Sequence, residues 1–312
     1  MRIALATEQF SPSNEPAADV ARAVVTHLTR RGHEVVVFAG GRGQASFGGA
    51  RLFWASRMTS TSAVREAMAI SRPEVCHLID PHRVGLKAAE AAERLGVPTV
   101  YLAPERWSPG VDLEDHHAGL RDQDLHDRWA QAHSPDGGRF VVGYVGPLVA
   151  KKVLARLTTI AGLSGVRLVV LGEGAGAEKL RAAGAKVIAS ASDLERARCL
   201  ATFDALVQPR KRAVYAPVVL DALASGVPVV GFATGAAAVA VKHEMNGLLV
   251  EGDRGGKALA RAVARLAASP DLRFQLAASA RASVVGRSWD DAVTDLLEVH
   301  YPQAVGRAVS VP

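Results

Sequence analysis

Residues 208–232, QPRKRAVYAPVVLDALASGVPVVGF, constrain the fold more than any other stretch of the chain. A cationic loop at 209–212 leads into a mostly apolar segment at 217–224 that reads as a helix. Ser225-Gly226 stops it, and Val227-Pro228-Val229-Val230 reads as a short buried strand. Loop, helix, glycine stop and strand, in that order, make one unit of a parallel α/β sheet. A loop that opens a helix in such a sheet lies at the carboxyl end of the preceding strand. Ligands of these folds bind there, and the helix N-terminus favours anions.

The same alternation runs through most of the chain. Residues 3–6 read as a strand and 17–31 as a helix, with Val20, Val24, Val25 and Leu28 on one face and Gly32 as its stop. A strand at 34–39 completes a βαβ opening. Its first loop carries no G-x-G-x-x-G, so the dinucleotide fingerprint is absent. Residues 40–49 are glycine-rich and read as flexible. Strands are then expected at 51–54, 75–79 and 98–102, with helices at 62–71 and 85–95. From 103 to 138 the periodicity dissolves into a polar, acidic, histidine-rich crossover with one helical stretch at 118–130. The pattern resumes with strands at 140–145, 166–171, 186–189, 205–208 and 247–250, and helices between and after them, the last at 289–300. This predicts two Rossmann-like, doubly wound α/β domains facing a cleft, at residues 1–138 and 139–288. Residues 289–312 form a terminal helix and tail that cross back to the first domain.

With 312 residues, 49% of them hydrophobic and 22% charged, the chain can bury two cores. No run of about 18 apolar residues is present to span a membrane. The opening MRIALATEQF reads as a strand and a polar loop, not a signal peptide. Cys76 and Cys199 lie far apart in apolar settings and are expected as reduced core thiols of a cytoplasmic protein. The formal charge of +6 fits a solvated surface, an anionic substrate, or peripheral contact with the inner face of an anionic membrane. Aromatics are only 5%, which argues against a nucleic-acid partner.

Several motifs together resemble the retaining glycosyltransferases of family 4, which have the GT-B architecture. They are FVVGYVGPLVAKK at 140–152, VRLVVLGEG at 166–174, FDALVQP at 203–209, VVLDALASGVPVVGFATG at 218–235, NGLLVEGD at 246–253 and SWDDAVTDLLEVHY at 288–301. The first half is similar through MRIALATEQFSP, HLTRRGHEVVVFA and HLIDPHRVGLKAAEAAERLGVP, and has a shortened N-terminal domain by comparison. The nearest branch in kind is the actinobacterial GDP-mannose-dependent mannosyltransferases. The resemblance implies transfer of a hexose, with retention, from a GDP- or UDP-linked sugar to an acceptor hydroxyl on a glycan, lipid or small molecule. It implies no metal, because cations and helix N-termini take the diphosphate charge.

Carried over position by position, the resemblance places Lys152 on the diphosphate as the catalytic cation. Gly146 falls in the turn before it and Asp221 on the ribose. Arg210 and Lys211 become donor-side cations, and Gly235 and Ala236 would offer backbone N–H groups to the phosphates. Glu105 is the nearest candidate for the sugar-side acid. Four positions depart from the family pattern. Pro147 stands where an arginine is expected and Ala213 where the first glutamate of a pair is expected. Glu15-Pro16 replaces a glycine, and the sugar-side acid is displaced. These departures open a second reading: a catalytically inactive relative that binds a nucleotide or a partner glycosyltransferase. His116, His117, Asp124, His126 and Asp127 match no closed zinc spacing, and a polar, mobile crossover explains them better than a metal site. His77 reads as a core histidine, and His82 as an acceptor-side candidate on a βα loop.

Overall fold

The computed structural model describes residues 1–10, 15–103, 106–133, 138–189, 192–211, 213–252 and 256–309. They fall into two compact units, Met1–Gly110 with Trp289–Pro312, and Val111–Ser288.

The first unit runs β1 (Arg2–Thr7), α1 (Pro16–Arg30), β2 (Glu34–Gly40), β3 (Ser46–Phe47), β4 (Ala50–Ala55), α2 (Thr61–Ser71), β5 (Val75–Leu78), α3 (Arg83–Arg94) and β6 (Thr99–Tyr101). Its sheet has the order β3-β4-β2-β1-β5-β6. All its pairs are parallel except β3 with β4. Strands β1 and β5 are buried along their length, Arg2 apart, because both faces of a parallel sheet are covered. Pro16 opens α1 at its first turn, where a missing N–H costs nothing.

The second unit holds α4 (Gln123–Ala130), β7 (Phe140–Val145), α5 (Lys151–Ala161), β8 (Val166–Leu171), α6 (Ala177–Ala182), β9 (Lys186–Ile188), α7 (Asp193–Thr202) and β10 (Ala205–Gln208). It continues with α8 (Pro217–Ala224), β11 (Val229–Phe232), α9 (Ala236–Ala240), β12 (Gly247–Val250), α10 (Lys257–Ala268) and α11 (Pro270–Ala280). The sheet order β12-β11-β10-β7-β8-β9 is parallel throughout. Numbered within the unit it reads 6-5-4-1-2-3, the doubly wound order with its switch point between β7 and β10. Alternate residues of each strand feed two cores. Val142, Tyr144 and Val170 pack with Leu157 and Val263, while Val141, Val169 and Leu206 pack with Trp129, Leu200 and Leu223. After Ser288 the chain returns as α12 (Trp289–Asp295), a π-helical turn at Leu296–His300, and α13 (Tyr301–Val309). This segment belongs to the first unit: Trp107 Nε1 donates to the Ala292 carbonyl at 2.9 Å, and the buried Tyr301 hydroxyl lies 2.9 Å from His77 Nδ1.

Two stretches differ from the sequence reading. The glycine-rich segment at 40–49 contains β3, which forms a hairpin with β4. The crossover is divided at Gly110, not at 138. Residues 111–133 pack on the second unit because Val111 donates to the Arg287 carbonyl and Trp129 tilts against Phe203 with centroids 5.7 Å apart.

Candidate functional site

Beside the switch point of the second unit, the turns after β7 and β8 approach each other closely. Gly146 has φ 145°, and a Cβ on Gly172 would sit 2.0 Å from the Gly146 carbonyl oxygen. Leu148 N–H donates to the Glu173 carbonyl at 2.8 Å, and Gly176 N–H to the Leu148 carbonyl at 2.9 Å. Tyr144 Oη donates to the Pro147 carbonyl at 3.3 Å. Pro147, which has no charge to offer, is thus held beside the glycine turn by the Tyr144 hydroxyl.

Immediately beyond it α5 begins. Ala150 is its N-cap and supplies no capping side chain, and Lys151 and Lys152 lie exposed in its first turn. One turn further, Arg156 Nη1 donates to the Pro209 carbonyl at 2.6 Å, and its guanidinium lies 4.8 Å above the Phe232 ring. Arg156 therefore fixes the cationic loop against the helix that carries Lys152. No local pattern in the sequence points to this bond, which spans 53 residues.

The cationic loop is tied down elsewhere too. Arg210 is half-buried, with its N–H on Gln208 Oε1 at 3.2 Å. Lys211 is exposed, and its carbonyl accepts from Thr234 Oγ1 at 2.9 Å. Gly235, at φ 69°, is a glycine because a Cβ there would lie 2.9 Å from the Ala213 carbonyl. The expectation that Ala236 presents its N–H to a phosphate is corrected by the same contact, since that N–H donates to the Ala213 carbonyl at 2.8 Å. Where a glutamate would reach outward, Ala213 instead closes the loop onto the start of α9.

Asp221 lies on α8 with its side chain 14% exposed. Its Oδ1 is 3.7 Å from Nε2 of His116, which is itself buried. The histidine-rich crossover is packed, not mobile, wherever it is described. Arg281 donates to the carbonyls of Leu113, His116 and Ala224 at 3.2, 2.9 and 2.7 Å. His126 Nε2 lies 3.0 Å from Asp204 Oδ2, and Asp204 also accepts from Val141 N–H at 2.8 Å and Arg121 Nη2 at 3.2 Å. Hydrogen bonding to Asp204 raises the His126 pKa against its own burial. Burial alone would raise Asp204, but His126, the Val141 N–H and Arg121 together hold it below the usual carboxylate range. No three His, Cys, Asp or Glu side chains among the described residues group as metal ligands.

A groove of about 570 Å³ lies at the other, amino edge of this sheet, lined by Phe140, Asp204, Gly226 and Pro228 among others. The charges of Asp204 there are already matched, and the cations and glycine turns described above all lie at the carboxyl edge. The carboxyl strand ends, where ligands of such sheets bind, are therefore the candidate site rather than this groove.

The first unit has a comparable switch point, between β1 and β5, and fills it with its own carboxylates. Asp80, 8% exposed, accepts from Thr7 Oγ1 at 2.8 Å and from the Glu8 N–H at 3.0 Å. Glu8 accepts from Arg83 Nη2 at 2.5 Å and from the Val84 N–H at the start of α3 at 3.0 Å. Burial would raise the Glu8 pKa, but Arg83 and the Val84 N–H outweigh it and hold it low. His82 is the exposed N-cap of α3, and His77 is fully buried. Glu105 lies outside the described residues. The sequence reading passed over Glu8, Asp80 and Arg83, although each sits within five residues of a strand end.

Residues 139–269 match the family model Glycosyl transferases group 1. Along the whole chain there is similarity to the GDP-mannose-dependent alpha-mannosyltransferase of Mycobacterium tuberculosis (strain CDC 1551 / Oshkosh), 29% identical with 98% of each chain covered. Among solved structures, a glycosyltransferase from Rickettsia africae ESF-5 superposes with a TM-score of 0.73 at 10% identity, covering 99% of both chains. Anabaena Alr3699/HepE in complex with UDP and glucose does so at 0.67 and 15% identity, covering 100% of both. The two parallel sheets match the fold of GT-B glycosyltransferase structures. More narrowly, the chain carries a glycosyl transferases group 1 domain, with GDP-mannose-dependent alpha-mannosyltransferases among its relatives. No described helix is long and apolar enough to cross a membrane.

Proposed function

We propose that this chain transfers a hexose, with retention, from a nucleotide-diphosphate sugar to a hydroxyl of a glycan, lipid or small-molecule acceptor. One observation carries the reading. Lys152, in the uncapped first turn of α5, and the cationic loop at 209–211 border the glycine turns at the switch point of a glycosyl transferases group 1 domain. In this reading the diphosphate lies over the α5 N-terminus, with Lys152 and Lys211 beside it and Arg210 supporting the loop. Asp221 meets the ribose. These cations take the charge that develops on the leaving diphosphate, and no resident metal is required. The name of the Mycobacterium tuberculosis relative makes GDP-mannose the first donor to test, and the UDP complex of the Anabaena protein makes UDP-glucose the second.

Ala213, with its carbonyl already engaged by Ala236, and the uncharged Pro147 support a second reading, in which a nucleotide binds without turnover. A thermal-shift titration with GDP, UDP and their sugars tests binding. A ligand at about a hundred times its Kd adds about 2.7 kcal/mol. No shift with any of them ends the donor-site reading. Where a nucleotide does bind, Lys152→Ala is expected to raise its Kd about tenfold or more at an unchanged melting temperature. Retained affinity would remove Lys152 from the site. Release of free nucleotide from the sugar donor in the presence of acceptor separates turnover from binding alone.

A further inference from the structure

We infer that the groove at the amino edge of the second unit is a second ligand site, which binds a small phosphate monoester carrying an apolar body. It lies apart from the donor site at the carboxyl edge. Two guanidiniums line it, those of Arg139 and Arg273, and neither makes an ion pair or a side-chain hydrogen bond among the described residues. Both are anchored at one residue, Phe140, which opens β7. Arg139 is its chain neighbour, and Arg273, on α11, holds its guanidinium 5.2 Å above the Phe140 ring. The carboxylate in the groove does not serve them, because Asp204 is engaged by His126, Arg121 and the Val141 N–H. Asp271, in the first turn of α11, makes no ion pair with either among the described residues. The charge of Arg139 reaches as far as Arg167 on β8, whose pKa is lowered by its own burial and, after that, by Arg139.

The walls between the two arginines are apolar. Phe140, Val227, Pro228, Ala277 and Phe274 contribute to them, and the lining holds no lysine and no glutamate. Phe274 is 79% exposed and directly follows Arg273, so an uncovered aromatic ring stands beside an unpaired cation. A hollow of about 570 Å³ is the size that takes a small molecule, roughly 300–1,000 Å³. Cations and hollow together select a ligand with the same two parts. A phosphate monoester carries a charge of about −1.5 to −2 at neutral pH, which balances two arginines. Its oxygens accept from the planar guanidinium forks. Inorganic phosphate would leave the apolar walls wet, and an uncharged apolar molecule would leave both arginines unmatched. A concave groove with one exposed aromatic fits a single molecule and not a membrane surface.

The test measures, by calorimetry on the full chain, the affinities of hexyl phosphate, butyl phosphate, inorganic phosphate and 1-hexanol, all as monomers. Native protein is expected to bind hexyl phosphate about tenfold more tightly than butyl phosphate, as two further buried methylenes allow. Inorganic phosphate and 1-hexanol are weaker still. Arg139→Ala and Arg273→Ala each weaken hexyl phosphate about tenfold or more, the worth of a charge-assisted hydrogen bond. Phe274→Ala, at an exposed position, weakens hexyl phosphate and leaves inorganic phosphate unchanged. Should Arg273→Ala fail to fold, Arg139→Ala and Phe274→Ala carry the test. Lys152→Ala leaves hexyl phosphate affinity as it was. A loss in that variant, with the arginine variants unaffected, puts the probe in the donor site and overturns the inference while leaving the donor reading intact. Equal affinity for hexyl and inorganic phosphate means an adventitious ion only and overturns it too. So does the absence of binding to hexyl phosphate, or binding only to vesicles that contain phosphatidic acid. Failure of the chain to bind GDP or UDP ends the donor reading and leaves this site untouched.

Discussion

The two units build the same doubly wound sheet and finish its switch point in opposite ways. In the second unit the carboxyl ends of β7 and β8 carry glycine turns, and those of β7 and β10 lead into a helix with no side-chain cap and exposed lysines. In the first, the corresponding ends of β1 and β5 are occupied by the protein's own anions: Glu8 sits on the α3 N-terminus with Arg83, and Asp80 gathers Thr7 and two backbone N–H groups. A helix N-terminus attracts an anion whichever molecule supplies it. One unit supplies it internally. In the other, no side-chain cap is made at the start of α5, where the proposed diphosphate would lie.

Three experiments break or sharpen this contrast. The largest effect is expected for Asp204→Ala at the amino edge of the second unit. It strands the partly buried His126 and Arg121 and removes the acceptor of Val141, and should cost about 3 kcal/mol, read as a fall of roughly 6–12 °C in melting temperature. A loss below about 1 kcal/mol would mean that the network is solvated and that the crossover is not anchored there.

The second experiment is a pH series, in which the units should move in opposite senses. His77 is buried, and burial lowers its pKa from 6.5 to about 3. Unfolding lets it take up a proton below about pH 6.5, so the first unit loses stability as pH falls from there toward 3, by about 2 kcal/mol at pH 5. His126 has a raised pKa, so its contribution is complete below its unfolded value and is lost as pH rises through the folded one. Hydrogen exchange of β5 and of β10 amides against pH separates the two, and parallel behaviour would refute the assignment. The smallest effect is Glu8→Gln, which keeps the shape and removes the charge from α3. About 1 kcal/mol of stability should be lost, with GDP affinity unchanged. Altered nucleotide affinity would show that the first unit's filled switch point also serves the donor.

Much of this was legible in the sequence. The strand at 140–145 is β7 to the residue, and the opening stretch resolves into a loop, α8 and β11 as its apolar pattern requires. Lys152 falls in the first turn of α5, where a strand, a glycine turn and a helix place it. The crossover was not legible, for a physical reason. Residues 111–133 are held by side chains bonding to distant backbone, Arg281 to three carbonyls and Arg121 to the Phe203 carbonyl at 3.2 Å, and such bonds leave no periodic trace. The same applies to His116, whose partner lies 105 positions along the chain.

What the sequence by itself determined was the alternation of buried strands with one-sided helices, and with it the sheet type. Apolar periodicity and glycine stops are local, and they suffice for that. Tertiary structure alone decided which polar groups meet: Ala236 with Ala213, Glu8 with α3, Asp221 with His116. Each of these contacts joins parts of the chain remote from one another. A buried polar group must find a partner wherever the packing places one, and no local pattern records where that is.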